Sequence, residues 1–152
     1  MGDLPYAESF RDLLAYQKAR QLSREIFQIT KAFPREELFS LTDQIRRSSR
    51  SIGAQIAEAW AKRRYERYFL SKLTDADGEQ QETQHWIETA SDCSYLTPEQ
   101  TAALRKKCEE IGRLLGGMMA KADLFCGKPA RALRELPAEY LATGQYTVIS
   151  SQ

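Results

Sequence analysis

The sequence predicts an all-α fold, an antiparallel up-down-up-down four-helix bundle formed by a single domain over residues 9–126, with a C-terminal extension over 127–152. Four segments repeat apolar residues at spacings of three and four, and none alternates with period two over a useful length. The 152 residues, 42% hydrophobic and 28% charged, suit one soluble domain able to bury its own core.

The first segment runs from about Phe10 to Phe33 with a stripe of Ala15, Ala19, Leu22, Ile26, Ile29 and Phe33. Pro34 stops it, because proline has no amide to continue the ladder. The second begins near Leu38 and carries Leu41, Ile45, Ser48, Ile52, Ile56 and Ala59. It is lined with small residues, among them Ser49, Ser51, Gly53, Ala54, Ala57 and Ala61, which let backbones approach closely. Between Trp60 and Arg67 there is neither Gly nor Pro, yet the stripe fails at Lys62 and Glu66. An unbroken helix from Leu41 to Cys93 would be about 80 Å long at 1.5 Å per residue. A bend therefore belongs there.

The third segment carries Phe69, Leu73, Ala76, Gln80, Thr83, Ile87 and Ala90 and ends near Cys93 to Tyr95. The fourth opens with Thr97-Pro98-Glu99-Gln100, a capping box with proline in the first turn. Its stripe is Leu104, Cys108, Ile111, Leu115, Met118, Ala122 and Phe125, and Gly127 reads as its C-terminal cap. Beyond Gly127 the period is lost. Leu133, Leu136, Tyr140, Leu141, Tyr146, Val148 and Ile149 still make this stretch too apolar for a solvated tail, so part of it is expected to dock on a neighbour or a partner.

The total charge is balanced, with 22 Lys and Arg against 21 Asp and Glu, so no bulk field drives the chain onto nucleic acid or lipid. Locally the charge is polarised. From Gln44 to Lys72 eight cations face only Glu58 and Glu66, whereas Leu73 to Glu99 holds seven carboxylates and no Lys or Arg. Arg46, Arg47 and Arg50 fall within one helical turn, and Lys62, Arg63, Arg64 and Arg67 follow with Tyr65 and Tyr68 interleaved. Arginine forks match phosphate geometry and tyrosine rings stack on bases, so these seven cations are the candidate nucleic-acid-binding residues. The alternative is that basic helix two and acidic helix three are complementary faces, paired within a bundle or between subunits.

Catalytic and metal motifs mostly fail. The sole histidine, His85, argues against triads and multi-histidine sites. Glu82-Thr83-Gln84-His85 has the E-x-x-H spacing of di-iron bundles, but that site needs a second such motif and two further glutamates. A metal-dependent bundle enzyme using Glu82 and His85 is thus a remote reading. Gly112 and Gly116 form a G-x-x-x-G that reads as close helix packing, and no phosphate-cradling glycine loop occurs. Cys93, Cys108 and Cys126 lack C-x-x-C spacing and read as core thiols. Three cysteines, an acidic start from Met1 to Glu8 and no apolar run of about 18 residues point to the cytoplasm, with no membrane contact. The expectation is no enzyme and no cofactor.

Leu41-Thr42-Asp43-Gln44-Ile45-Arg46-Arg47-Ser48-Ser49, followed by Ser51-Ile52-Gly53-Ala54-Gln55-Ile56-Ala57-Glu58, resembles the signature of bacterial four-helix bundle proteins known as 23S rRNA intervening-sequence proteins. Ser9-Phe10 with Leu13 to Ala19, Phe69 to Leu73, and Glu82-Thr83-Gln84 resemble its first and third helices, so the likeness spans roughly Ser9 to Phe125. The resemblance implies an antiparallel bundle, a cyclic homopentamer and no enzymatic activity. Structurally similar accessory proteins of diversity-generating retroelements form pentameric barrels that bind nucleic acid and a reverse transcriptase. By that analogy, structured RNA or a reverse-transcriptase-type nucleoprotein is the expected partner. A protein-only scaffold or adaptor is the alternative. Two departures stand out: Ala59-Trp60-Ala61-Lys62 replaces the glycines many members carry after I-A-E, and the tail beyond Gly127 exceeds the usual length.

Overall fold

The computed structural model describes residues 4–127, 136–142 and 147–149. Four long helices dominate: α1 (Leu14–Thr30), α2 (Leu41–Ala61), α3 (Glu66–Asp92) and α4 (Pro98–Ala120). A one-turn α5 (Ala122–Phe125) follows, and short strands β1 (Leu4–Tyr6) and β2 (Thr147–Ile149) join the two ends of the chain.

Each helix forms where its stripe has a surface to bury. The expected positions of α2, α3 and α4 all lie in the core, as do Ala15, Ala19, Leu22, Ile26 and Phe33 of the first segment, with Ile29 partly buried. Phe69, Leu73, Ile87, Ile111 and Leu115 are fully buried, and each such side chain contributes roughly 1.5–3 kcal/mol. Contacts between neighbouring helices pair rising with falling residue numbers. Thr30 meets Arg46 and Tyr16 meets Gly53; Arg47 meets Glu82 and Glu58 meets Lys72. Thr74 meets Met119 and Glu88 meets Arg105, while Lys18 pairs with Glu110 and Glu25 with Lys107. All four neighbouring pairs are thus antiparallel.

The ends differ from expectation in detail. The first segment opens as a 3-10 turn over Phe10–Asp12, boxed by Ser9 and Asp12, and α1 itself starts at Leu14. The Thr97–Gln100 capping box forms with both reciprocal bonds. Helix α3 closes through Ser94 in a left-handed conformation (φ 61°), with the Tyr95 amide donating to the Ala90 carbonyl across 2.9 Å. Helix α4 ends at Ala120 rather than near Phe125, because Lys121 leaves the helical region at φ −114°. Gly127 does adopt a positive φ of 144°, but its amide bonds the carbonyl of Arg63 at 3.1 Å instead of capping a helix.

The described part of the extension packs on its own chain. Leu136, Tyr140 and Leu141 join the core, Leu13 and Leu141 form a β-bridge, and the Ala142 amide donates to the Asp12 carbonyl. Strands β1 and β2 pair antiparallel, Leu4 opposite Ile149 and Tyr6 opposite Thr147. Leu133 and Tyr146 lie outside the described residues.

Gly112 and Gly117 are used separately rather than as one helix-packing motif. A Cβ at Gly112 would lie 2.9 Å from Nε2 of Gln80 on α3, and one at Gly117 would lie 2.3 Å from the hydroxyl of Tyr140. Gly116 has nothing within 4 Å.

Candidate nucleic-acid interface

The turn between α2 and α3 forms without Gly or Pro because Arg63 caps it. Arg63 Nη1 donates to the Trp60 carbonyl at 2.7 Å, and its guanidinium lies 3.9 Å from the Trp60 ring centroid. A basic side chain satisfying a last-turn carbonyl closes the helix as a C′ glycine otherwise does. The Lys62 amide bonds the Glu58 and Ala59 carbonyls, Tyr65 takes extended backbone, and its carbonyl accepts from Phe69 to start α3. Glu66 sits in the first turn of α3, the end of a helix that favours a carboxylate.

This local path exposes two aromatic rings among cations. Tyr65 and Tyr68 are 57% and 46% exposed, with centroids 5.8 Å apart and planes at 86°. The Arg64 guanidinium lies 5.7 Å from the Tyr65 ring and that of Arg67 5.1 Å from the Tyr68 ring. Arg67 also donates to the Tyr68 hydroxyl at 3.3 Å. Among the described residues Lys62, Arg64 and Arg67 form no ion pair. Arg63, half-buried against Trp60, has a structural task the sequence did not reveal.

Arg46, Arg47 and Arg50 all line one groove beside Phe39, but their side chains are engaged by different helices. Consecutive helical residues are about 100° apart, so Arg46 and Arg47 point to different neighbours. Arg46 Nε donates to Thr30 Oγ1 at 2.8 Å, and Arg46, Arg50 and Lys31 surround the Phe27 ring at 4.8, 5.5 and 4.8 Å. Arg47 turns to α3, where it pairs with Glu82 at 3.1 Å and reaches Gln44 Oε1 at 3.4 Å. At 1.5 Å per residue, Arg50 and Lys62 are roughly 18 Å apart along α2. Six of the seven candidates therefore occupy two places, Arg46 and Arg50 against α1 and Lys62, Arg63, Arg64 and Arg67 at the turn, while Arg47 reaches α3.

The basic and acidic helices are complementary only in part. Besides Arg47–Glu82, the Lys72 ammonium pairs with Glu58 at 3.0 Å and lies 3.8 Å from Asp75. Lys72 holds the Glu58 carboxyl below its ordinary range, and Glu58 raises Lys72 in turn. Glu79 shifts the other way: burial, reinforced by Glu82 and opposed by Arg47, pushes its carboxyl up, and its Oε2 is buried without a hydrogen bond.

The α1–α2 connection carries a feature missed in the sequence. Phe39 is 91% exposed and Leu38 also projects, beside a groove that Asp43, Arg46, Arg47, Arg50 and Ala54 help to line. An apolar pair in the otherwise polar stretch Pro34 to Ser40 was the available signal.

The metal-type motif is otherwise engaged. Glu82 pairs with Arg47, and the exposed His85 ring lies edge-on to Trp86 at 4.7 Å. No group of three or more metal-ligating side chains occurs among the described residues. Cys108 and Cys126 are buried, and burial pushes the Cys108 thiol up to about 12. Cys93 is exposed, contrary to its reading as a core thiol, because it stands where α3 terminates. None of the described helices is long and apolar enough to cross a membrane.

The family model described as 23S rRNA-intervening sequence protein matches residues 11–117. The chain belongs to this family. The match includes α2, the basic turn and α3, and ends at Gly117, so the extension lies beyond it. Among solved structures, this family member is similar to a protein of unknown function from the S23 ribosomal protein family of Bacteroides thetaiotaomicron VPI-5482. The identity is 30%, the TM-score 0.64, and the match covers 70% of this chain and 96% of that one. No curated protein matches.

Proposed function

We propose that this 23S rRNA-intervening sequence family member is a non-enzymatic, cytoplasmic RNA-binding protein whose contact surface is the α2–α3 turn. The observation that carries this reading is the pair of exposed rings, Tyr65 and Tyr68, set among Lys62, Arg64 and Arg67, three cations without ion pairs among the described residues. An unpaired surface cation retains its field for a phosphate, whereas Arg47 has given part of its own to Glu82. Structured RNA, or a nucleoprotein containing it, is the partner class.

The protein works as a homo-oligomer in this reading, a pentamer by the family resemblance, and Phe39 with Leu38 is the apolar contact that assembles it. Repetition around a ring multiplies a three-cation turn into a field that one copy lacks. Phe39 also supports the protein-only scaffold reading. There, Arg46→Glu with Arg50→Glu breaks the oligomer; in the RNA reading the oligomer survives these changes.

Light scattering after size exclusion, with and without a structured RNA at two salt concentrations, tests the proposal. Co-elution that weakens steeply with salt supports RNA binding. An intact oligomer that ignores RNA at low salt leaves the scaffold.

A further inference from the structure

We infer that the α2–α3 turn accepts a single unpaired base on its tyrosine pair, and so selects bulged or looped RNA over continuous duplex. The inference rests on the RNA-binding reading and specifies its ligand. Tyr65 and Tyr68 stand at 86° to one another, 5.8 Å between centroids. Perpendicular rings cannot sandwich a base, because stacking needs near-parallel planes. In an edge-to-face pair one ring's edge also covers part of the other's face. What remains is a corner, with one ring as platform and its neighbour as wall. One base fits such a corner; a continuous stacked run does not.

The surrounding groups fit the same ligand. The Arg64 guanidinium lies over the Tyr65 ring and that of Arg67 over the Tyr68 ring, so each ring carries one cation and leaves its other face for a base. A nucleotide displaced from a helix presents its base to the rings while its neighbouring phosphates reach these cations. A paired base has both faces covered by its neighbours and offers the rings nothing. Duplex would then meet the cations alone.

The test compares three RNAs on the full-length protein by fluorescence anisotropy: a continuous duplex, the same stem with one bulged nucleotide, and that stem with an abasic bulge. The bulged stem should bind about 5- to 150-fold more tightly than the other two, the effect of one base on an aromatic platform. Tyr65→Ala with Tyr68→Ala should remove this preference, so that the three RNAs bind alike, with the oligomeric state unchanged. Tyr65→Phe with Tyr68→Phe should keep it, since the rings remain. Equal, tight binding of all three RNAs overturns the base platform and leaves RNA binding standing. A change of oligomeric state in the alanine variant assigns the rings to a protein contact and also overturns it. Failure to bind any RNA at low salt removes both readings.

Discussion

The Gly127 amide donates to the Arg63 carbonyl oxygen across 3.1 Å, so the root of the C-terminal extension is fastened to the turn between α2 and α3. Arg63 is also the residue whose side chain closes α2 on Trp60. One residue therefore joins the capping of a helix, the exposed cation cluster and the start of the extension. The family match stops ten residues before Gly127, so this fastening lies outside the matched region.

Gly127 has a φ of 144°, where a side chain is strained. Gly127→Ala is expected to destabilise the fold by about 1–3 kcal/mol. Urea denaturation should show a lower midpoint with an unchanged slope.

Gly117 lies under the Tyr140 ring, and an added Cβ would meet the hydroxyl at 2.3 Å. Gly117→Ala should therefore cost about 1–3 kcal/mol through overpacking, despite alanine's better helix propensity. In a Tyr140→Ala background the clash is gone, and the same change should become neutral or stabilising by up to about 1 kcal/mol. Thermal melts of the four proteins give the sign directly.

Ser48 and Thr83 share a buried hydrogen bond of 2.9 Å across the α2–α3 interface, and the Thr83 hydroxyl also lies 2.8 Å from the Glu79 carbonyl. Ser48→Ala and Thr83→Val should each cost about 1–2 kcal/mol, because each leaves a buried polar partner behind. The double variant should lose less than the sum, with a coupling of about 0.5–1.5 kcal/mol in a double-mutant cycle.

Glu79 is the carboxyl whose burial raises it in the folded state. A raised folded value means that its stabilising contribution is complete below the ordinary carboxylate range and is lost as pH rises through the folded value. Glu79→Gln, uncharged throughout, should therefore be more stable than the parent at neutral pH, by up to about 1 kcal/mol. The difference should vanish below the carboxylate range. Glu58 and Glu139, both lowered by lysine partners, are common to the two proteins and cancel in the comparison. Denaturant midpoints across the acidic range follow the crossover.

The bundle was legible because its information is periodic. Leu41 to Ala59, Phe69 to Ala90 and Leu104 to Met118 each name one buried side of a helix, and all of those expected positions lie in the core. The α2–α3 turn was legible only as a break in period, since its cap is an arginine side chain rather than a glycine. The division of Arg46 from Arg47 was not legible, because a one-residue step of 100° acquires meaning only when the neighbouring helices are in place. The packing of the described part of the extension on its own chain was not legible. Its contacts, Tyr140 on Gly117 and Leu141 beside Leu13, are single residues in a 3-10 turn and a bridge, too short to leave a periodic trace.

The most direct test of the account is the salt dependence of RNA affinity for the parent protein and for Lys62→Gln/Arg64→Gln/Arg67→Gln, with Arg46→Gln/Arg50→Gln as the comparison. Each phosphate contact contributes about 0.7–0.9 to the slope of log affinity against log salt. The account predicts that the turn variant loses about 2–3 from that slope and most of its affinity, while the α1–α2 variant retains both. A turn variant that binds RNA with the parent's affinity and slope would contradict it.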